Sequence, residues 1–242
     1  MLGIPFPDLR RRRREPEVMD HPGLDEARHR GALRGLGRIN RVSGTAGSLW
    51  PHVRDLARRL RPPRPLRLLD VACGGGDVAL GLWRRAERAG VPVEVAGCDL
   101  SPAALRFARE WAAAAGASAS FFPLDVCRDP LPAGYDVLTC SLFLHHLGEE
   151  EAVALLRGMR ESGAALVLVS DLRRGRLGYV LAWLGARLLS RSDVVHTDAT
   201  LSVRAAFTPA EARELAGRAG LSGATLRPAW PQRFLLKWER PG

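Results

Sequence analysis

Asp70, Asp99 and Asp125 stand at the ends of three successive apolar runs, and the first is followed by Ala72-Cys73-Gly74-Gly75-Gly76-Asp77. A glycine-rich turn lets a backbone bend sharply and approach a ligand closely. Set between a strand and a helix, it opens the crevice in which α/β proteins hold nucleotides. Asp99, at the end of the next run, is suited to accept hydrogen bonds from both hydroxyls of a ribose. Asp125 is placed to meet an adenine amino group. His145-His146 follows a fourth apolar run. An imidazole titrates near neutral pH, so His145 is a candidate general base, against a packing role at a helix entrance. His196 with Asp198 is a rival candidate, against a polar loop.

These residues need elements to carry them. Leu66 to Val71 is a short apolar strand and Asp77 to Ala89 a helix. Val93 to Cys98 is a strand, and Pro102 to Ala115 a helix with Ser101 as cap and proline at its first position. Phe121-Phe122 lies in a strand; Tyr135 to Cys140, Glu149 to Glu161 and Ala164 to Val169 read strand, helix, strand. Short apolar strands alternating with helices predict a mostly parallel sheet covered on both faces. Residues 174–206 interrupt the rhythm with a helix faced by Leu177, Leu181, Leu184 and Leu188. Thr208-Pro209-Ala210-Glu211 starts another helix, and strands near Ala224–Arg227 and Arg233–Trp238 form a terminal antiparallel hairpin.

Of the 242 residues, 46% are hydrophobic and 26% charged, which excludes wholesale disorder, and no apolar stretch is long enough to span a membrane. Arginine supplies all but one of the 36 basic side chains, Lys237 being the exception. Residues 1–64 hold 15 arginines against seven acidic residues, nearly all of the net charge of +10. The run Arg10–Arg14 suits either a foot for nucleic acid or anionic lipid, or a solvated arm, and the second is preferred. Residues 1–23 lack periodicity and are expected to be poorly ordered. Residues 24–64 read as two helices broken at Gly44–Gly47, then a proline-rich linker, and form a helical lid. Cys73, Cys98, Cys127 and Cys140 contain no CxxC pair, so no metal site is expected; reduced thiols point to a cytoplasmic protein.

The run Asp70-x-x-x-Gly74-x-Gly76, with Asp99 and Asp125, closely resembles the class I S-adenosylmethionine-dependent methyltransferases across residues 66–172 and the terminal hairpin. A dinucleotide-binding fingerprint is more widely spaced. The resemblance implies a Rossmann-like α/β fold over residues 65–242, binding S-adenosyl-L-methionine and releasing S-adenosyl-L-homocysteine. It places Asp70 near the methionine end, the turn of Ala72, Cys73 and Gly74 to Gly76 beneath the amino-acid portion, Asp99 at the ribose and Asp125 at the adenine, with Asp77, Leu100 and Val126 as further cofactor contacts. Ser141 and Leu142 pass under the cofactor. Ala72 departs from the family's glycine.

Leu142-Phe143-Leu144-His145-His146-Leu147, Ser170-Asp171-Leu172-Arg173-Arg174 and Leu201 to Pro209 resemble the ubiquinone/menaquinone-type branch, often associated with polyketide or phenolic-lipid pathways. The Asn/Asp-Pro-Pro-aromatic and Pro-Cys motifs of nucleobase methylation are absent, so no nucleic-acid substrate is expected. The expected reaction is transfer to a phenolic hydroxyl of an aromatic or lipidic acceptor. The alternatives are ring C-methylation of a quinol, and a cofactor-sensing protein whose arginines bind RNA or an anionic surface. Residues 174–206 are expected to shape the acceptor pocket, with Tyr179 and Trp183 as contacts; peripheral membrane contact is a further option. Gly37 to Arg41, including Asn40, is expected to close over the cofactor. Oligomeric state is not legible.

Overall fold

Alternation along the strands decides how the chain packs in the computed structural model, which describes residues 7–21 and 23–241. In β1 (Leu66–Val71), Leu66 and Leu68 join an apolar cluster with Leu49, Val53, Val78 and Leu105. Leu69 and Val71 turn to the opposite cluster, with Leu156, Met159 and Leu215. Side chains of a strand alternate between faces, so a strand apolar on both faces needs helices on both. Here α2 (Thr45–Leu60), α3 (Asp77–Ala89) and α4 (Pro102–Ala114) cover one face, and α5 (Glu149–Glu161) and α8 (Pro209–Arg218) the other.

The sheet is completed by β2 (Val93–Asp99), β3 (Ala119–Pro123), β4 (Val137–Ser141), β5 (Leu166–Leu172), β6 (Thr225–Ala229) and β7 (Arg233–Glu239). Its order is β3-β2-β1-β4-β5-β7-β6, with β7 antiparallel to both its neighbours and the rest parallel. The chain therefore reverses its direction of winding between β1 and β4. A crevice opens outside the carboxyl ends of the strands at such a point. The predicted α/β class, parallel sheet and terminal hairpin are all present.

Local chemistry sets the element boundaries. Ser101 accepts a hydrogen bond from the Ala104 amide, and Pro102 begins α4. Thr208 and Glu211 close a reciprocal capping box at α8. The break between α1 (Glu26–Val42) and α2 falls at Ser43–Gly44, where Gly44 has φ 68°; Gly47 lies inside α2. Residues 174–206 form α6 (Arg176–Leu189) and α7 (Asp193–Ala205). These pack on α1 through Ala32, Ala186, Val194 and Val195. Among the described residues, no helix is long and apolar enough to cross a membrane.

The largest departure from expectation is the N-terminal arm. Residues 7–21 are not a loose tail: they run across the carboxyl edge of the sheet and end in a 3-10 turn, Val18–Asp20. Specific polar contacts with α7 and with the turn after β4 replace the missing apolar periodicity, which is why the sequence gives no sign of order there. Residues 1–6 and Pro22, covered by the same expectation, lie outside the described residues.

Candidate active site

The cofactor half of the crevice grows from β1 and β2. After Val71 the backbone enters the left-handed region at Ala72 (φ 52°), Gly74 (φ 52°) and Gly76 (φ 75°). A Cβ on Gly76 would fall within 2.9 Å of the Phe121 ring and 3.0 Å of Ala108, so both φ and space require glycine. The Gly74 amide donates to Asp99 Oδ2 at 2.7 Å and the Ser101 amide to Oδ1 at 2.9 Å. Burial pushes the Asp99 carboxyl above its ordinary pKa, and the two amides pull against that. Leu100 beside it leaves 66% of its surface open, an apolar face beside the acid assigned to ribose.

Asp70 is enclosed beneath the turn. Thr139 donates to it at 2.6 Å, the Ala79 amide adds a bond, and burial raises its pKa to about 7. Only 2% of its surface is exposed. Asp77 opens α3; burial raises its pKa against a hydrogen bond from Asn40. Asn40 also accepts from Arg233 at 2.9 Å, and Leu33 faces Gly75, so α1 lies over the turn. The buried thiol of Cys73 is held well above its ordinary pKa by burial and nearby acids, hence protonated. Asp125 lies two residues past β3, with Oδ1 accepting from the Cys127 amide at 3.1 Å and its carboxylate 3.5 Å from Arg128. Val126 is half-buried against the core. His29 of α1 went unnoticed in the sequence. Burial lowers its pKa, opposed by the fields of Asp99 and Asp20, so it stands on the cofactor side.

The other half of the crevice is built by β4, β5 and the arm. Ser141 ends β4 with its hydroxyl buried and unpartnered, and Leu142 turns the chain at φ 56°. The turn Leu144–His146 then buries His145. His145 donates from Nδ1 to Asp171 Oδ1 at 2.6 Å and from its amide to Oδ2 at 3.0 Å. Burial alone would lower the His145 pKa, but Asp171 and then Glu17 outweigh it and raise it to about 10. Burial likewise pushes Asp171 up, and His145 more than reverses this, leaving Asp171 below its ordinary value. With Glu17 in place the balance favours the protonated ring.

Glu17 and Asp20 come from the arm. Glu17 Oε1 stands 3.6 Å from His145 Nε2 and accepts from the Ser202 hydroxyl at 2.5 Å; Oε2 stands 3.8 Å from His146 Nε2. His146 Nδ1 meets Asp20 at 3.0 Å. Asp198 accepts from the Val18 and Met19 amides at 2.8 and 3.0 Å and so anchors the arm. Arg12 spans the carbonyls of His145 and Leu147 and lies over the Phe207 ring, and Arg14 reaches the His146 carbonyl and Glu151. Part of the arginine run is thus internal structure. The sequence missed Glu17 and Asp20 because they lie in a segment without periodicity. Asp171 carried a detectable signal, an acid near the end of a parallel strand like Asp70 and Asp99.

His196 and Asp198 are not brought together. His196 Nε2 donates to the Ser190 carbonyl at 2.8 Å, while Asp198 serves the arm. Positions two apart on a helix do not share a face. His196 instead borders a depression of about 300 Å³ with Tyr179 and Trp183. Arg174 is buried and paired with Glu211 at 2.6 Å.

A methyltransferase-domain family model matches residues 68–162. A ubiquinone biosynthesis O-methyltransferase of Thiobacillus denitrificans is 32% identical over 67% of this chain and 69% of its own length. A demethylmenaquinone methyltransferase of Thermus thermophilus is 36% identical over 43% of this chain, which spans only about half (47%) of that relative. The crystal structure of magnesium protoporphyrin IX methyltransferase from Synechocystis with bound S-adenosylhomocysteine superposes with a TM-score of 0.56 at 20% identity, covering 85% of this chain and 84% of that one. The left-handed glycine turn, exposed Leu100 and unpartnered Ser141 hydroxyl fit that cofactor. With its fold, its crevice at the β1/β4 reversal and these relatives, the chain belongs to the class I S-adenosylmethionine-dependent methyltransferases and acts on small molecules.

Proposed function

We propose that this enzyme methylates a hydroxyl oxygen on an aromatic acceptor, a phenol of polyketide-like or lipid-like character. The observation that supports this is the charged cluster on the acceptor side. His145 is held by Asp171 and presents a positive ring edge toward Glu17, next to the ends of β4 and β5. An apolar acceptor would have no use for such a cluster, whereas a phenolic oxygen gains from a cation that favours its phenolate form.

S-adenosylmethionine supplies an already activated methyl, so alignment and desolvation remain for the protein. Asp99, fixed by two amides, receives the ribose hydroxyls, and Leu100 covers the base. His145 holds the acceptor oxygen and favours its ionised form, and the phenolic proton leaves to solvent before the transfer. The oxygen lone pair forms the new O–C bond as the S–C bond breaks, releasing S-adenosylhomocysteine.

Transfer to a ring carbon of a quinol is the second reading. The demethylmenaquinone relative favours it, and a quinol must also ionise to become nucleophilic at carbon. Incubation with S-adenosylmethionine and a panel of alkylphenols, resorcinols and naphthoquinols, with NMR of the products, tests both. The expected product carries an O-methyl group. A ring C-methyl product would establish the second reading, and no turnover of any hydroxylated ring would remove both.

A further inference from the structure

The two neighbouring histidines are oriented in the same way. An ionised carboxylate only accepts hydrogen bonds, so the contacts with Asp171 and Asp20 fix the N–H of each ring at Nδ1. Each Nε2 is thereby turned toward the same carboxylate, Glu17, at 3.6 and 3.8 Å. These separations exceed a hydrogen bond, which ends near about 3.2 Å. They are close to the edge of a coordination shell: donors at about 2.0–2.2 Å around a tetrahedral ion lie roughly 3.3–3.6 Å apart. The three donor atoms all lie within 4.8 Å of one another.

A divalent ion bound here would take the place of the Nε2 proton of His145, so its binding would release a proton. The carboxylates behind the rings are the feature that orients histidine ligands and raises their basicity at metal centres. Two imidazoles and one carboxylate, with a fourth position open, is a donor set for zinc in catalytic rather than structural sites.

We infer that His145 Nε2, His146 Nε2 and Glu17 form a binding site for a divalent transition-metal ion, zinc by donor type, with Asp171 and Asp20 as its outer carboxylates. That the ion would take up the acceptor's oxygen rests on the proposed function; the ion's binding does not. In that arrangement the ion would act as a Lewis acid on the hydroxyl and would make the arm part of the site.

Full-length protein, freed of metal with a chelator and exchanged into clean buffer, is titrated with Co2+ and followed by visible absorption, then challenged with Zn2+. The expected result is one Co2+ per chain, with the intense visible bands of four-coordinate cobalt, abolished by Zn2+. Glu17→Gln and His146→Asn should each abolish the bands, and Asp20→Asn should weaken binding about 10–100-fold. Circular dichroism and S-adenosylhomocysteine binding check that each variant is folded. Absence of the bands in the folded wild type overturns the site, as does binding that Glu17→Gln and His146→Asn leave unchanged. Phenol methylation is assayed in parallel with and without chelator. Turnover by metal-free protein that shows no cobalt bands would remove the metal and leave the proposed function standing; cobalt bands without turnover would do the reverse.

Discussion

Two aspartates, Asp70 and Asp171, are buried near the carboxyl ends of parallel strands, on either side of β4, with 2% and 1% of their surface exposed. Their acidities move in opposite directions. Asp70 has a hydroxyl and an amide as partners, and burial dominates, pushing it up to about 7. Asp171 faces an imidazolium and three hydrogen bonds from backbone and ring, and falls below its ordinary value. The cofactor half thus encloses a carboxyl beneath a turn, while the half built on β4 and β5 keeps a charge on its buried carboxylate. Burial alone does not set the charge of a site; the partner does.

Replacing Asp171 by Asn tests this most severely. It leaves a buried imidazolium facing only Glu17 and should cost about 3–5 kcal/mol of stability in denaturant unfolding. Asp70→Asn keeps an oxygen for Thr139 and should cost far less. Equal losses would end the distinction.

The pH dependence of Asp70 sharpens it. Its pKa is higher folded than unfolded, so the native state binds the extra proton between about pH 4 and about pH 7. Stability from this group therefore falls as pH rises through that window, by on the order of 4 kcal/mol at about 1.4 kcal/mol per unit. Asp70→Asn should flatten the slope of unfolding free energy over that range. An unchanged slope would place the titration elsewhere.

Asp99→Ala should weaken binding of S-adenosylmethionine and S-adenosylhomocysteine by about 1.5–3 kcal/mol, read by calorimetry. Unchanged affinity in a folded variant would reject the ribose assignment. The smallest effect is expected at Ala72, whose left-handed backbone costs about 1–2 kcal/mol. Ala72→Gly removes that strain but loosens the unfolded chain by about 0.4–1 kcal/mol. A thermal melt should rise by a few degrees at most, and a fall would mean that the Ala72 methyl packs usefully.

The same two halves explain what was legible in the sequence. The glycine turn, Asp99 and Leu100 lie in one local stretch, where each residue's role follows from its place after a strand. Strand and helix bounds were close for the same reason; Asp77–Ala89 and Glu149–Glu161 agree with the sequence reading. The acceptor half joins positions 17, 20, 145, 171, 198 and 202, which only tertiary folding brings together. His196 next to Asp198 looked like a pair because they are near in sequence, yet α7 sends one to Ser190 and the other to the arm.

The docking of the arm has a consequence for the order in which the molecule is made. Residues 12–20 leave the ribosome before almost everything they bind, and Asp198, Ser202 and Arg204 emerge some 180 positions later. The glycine turn and its strands can assemble while synthesis continues, since domains fold as their segments appear. The acceptor half cannot. A nascent chain halted before α7 would carry a nearly complete cofactor crevice with no anchored arm across it, so a segment made early is late to find its place.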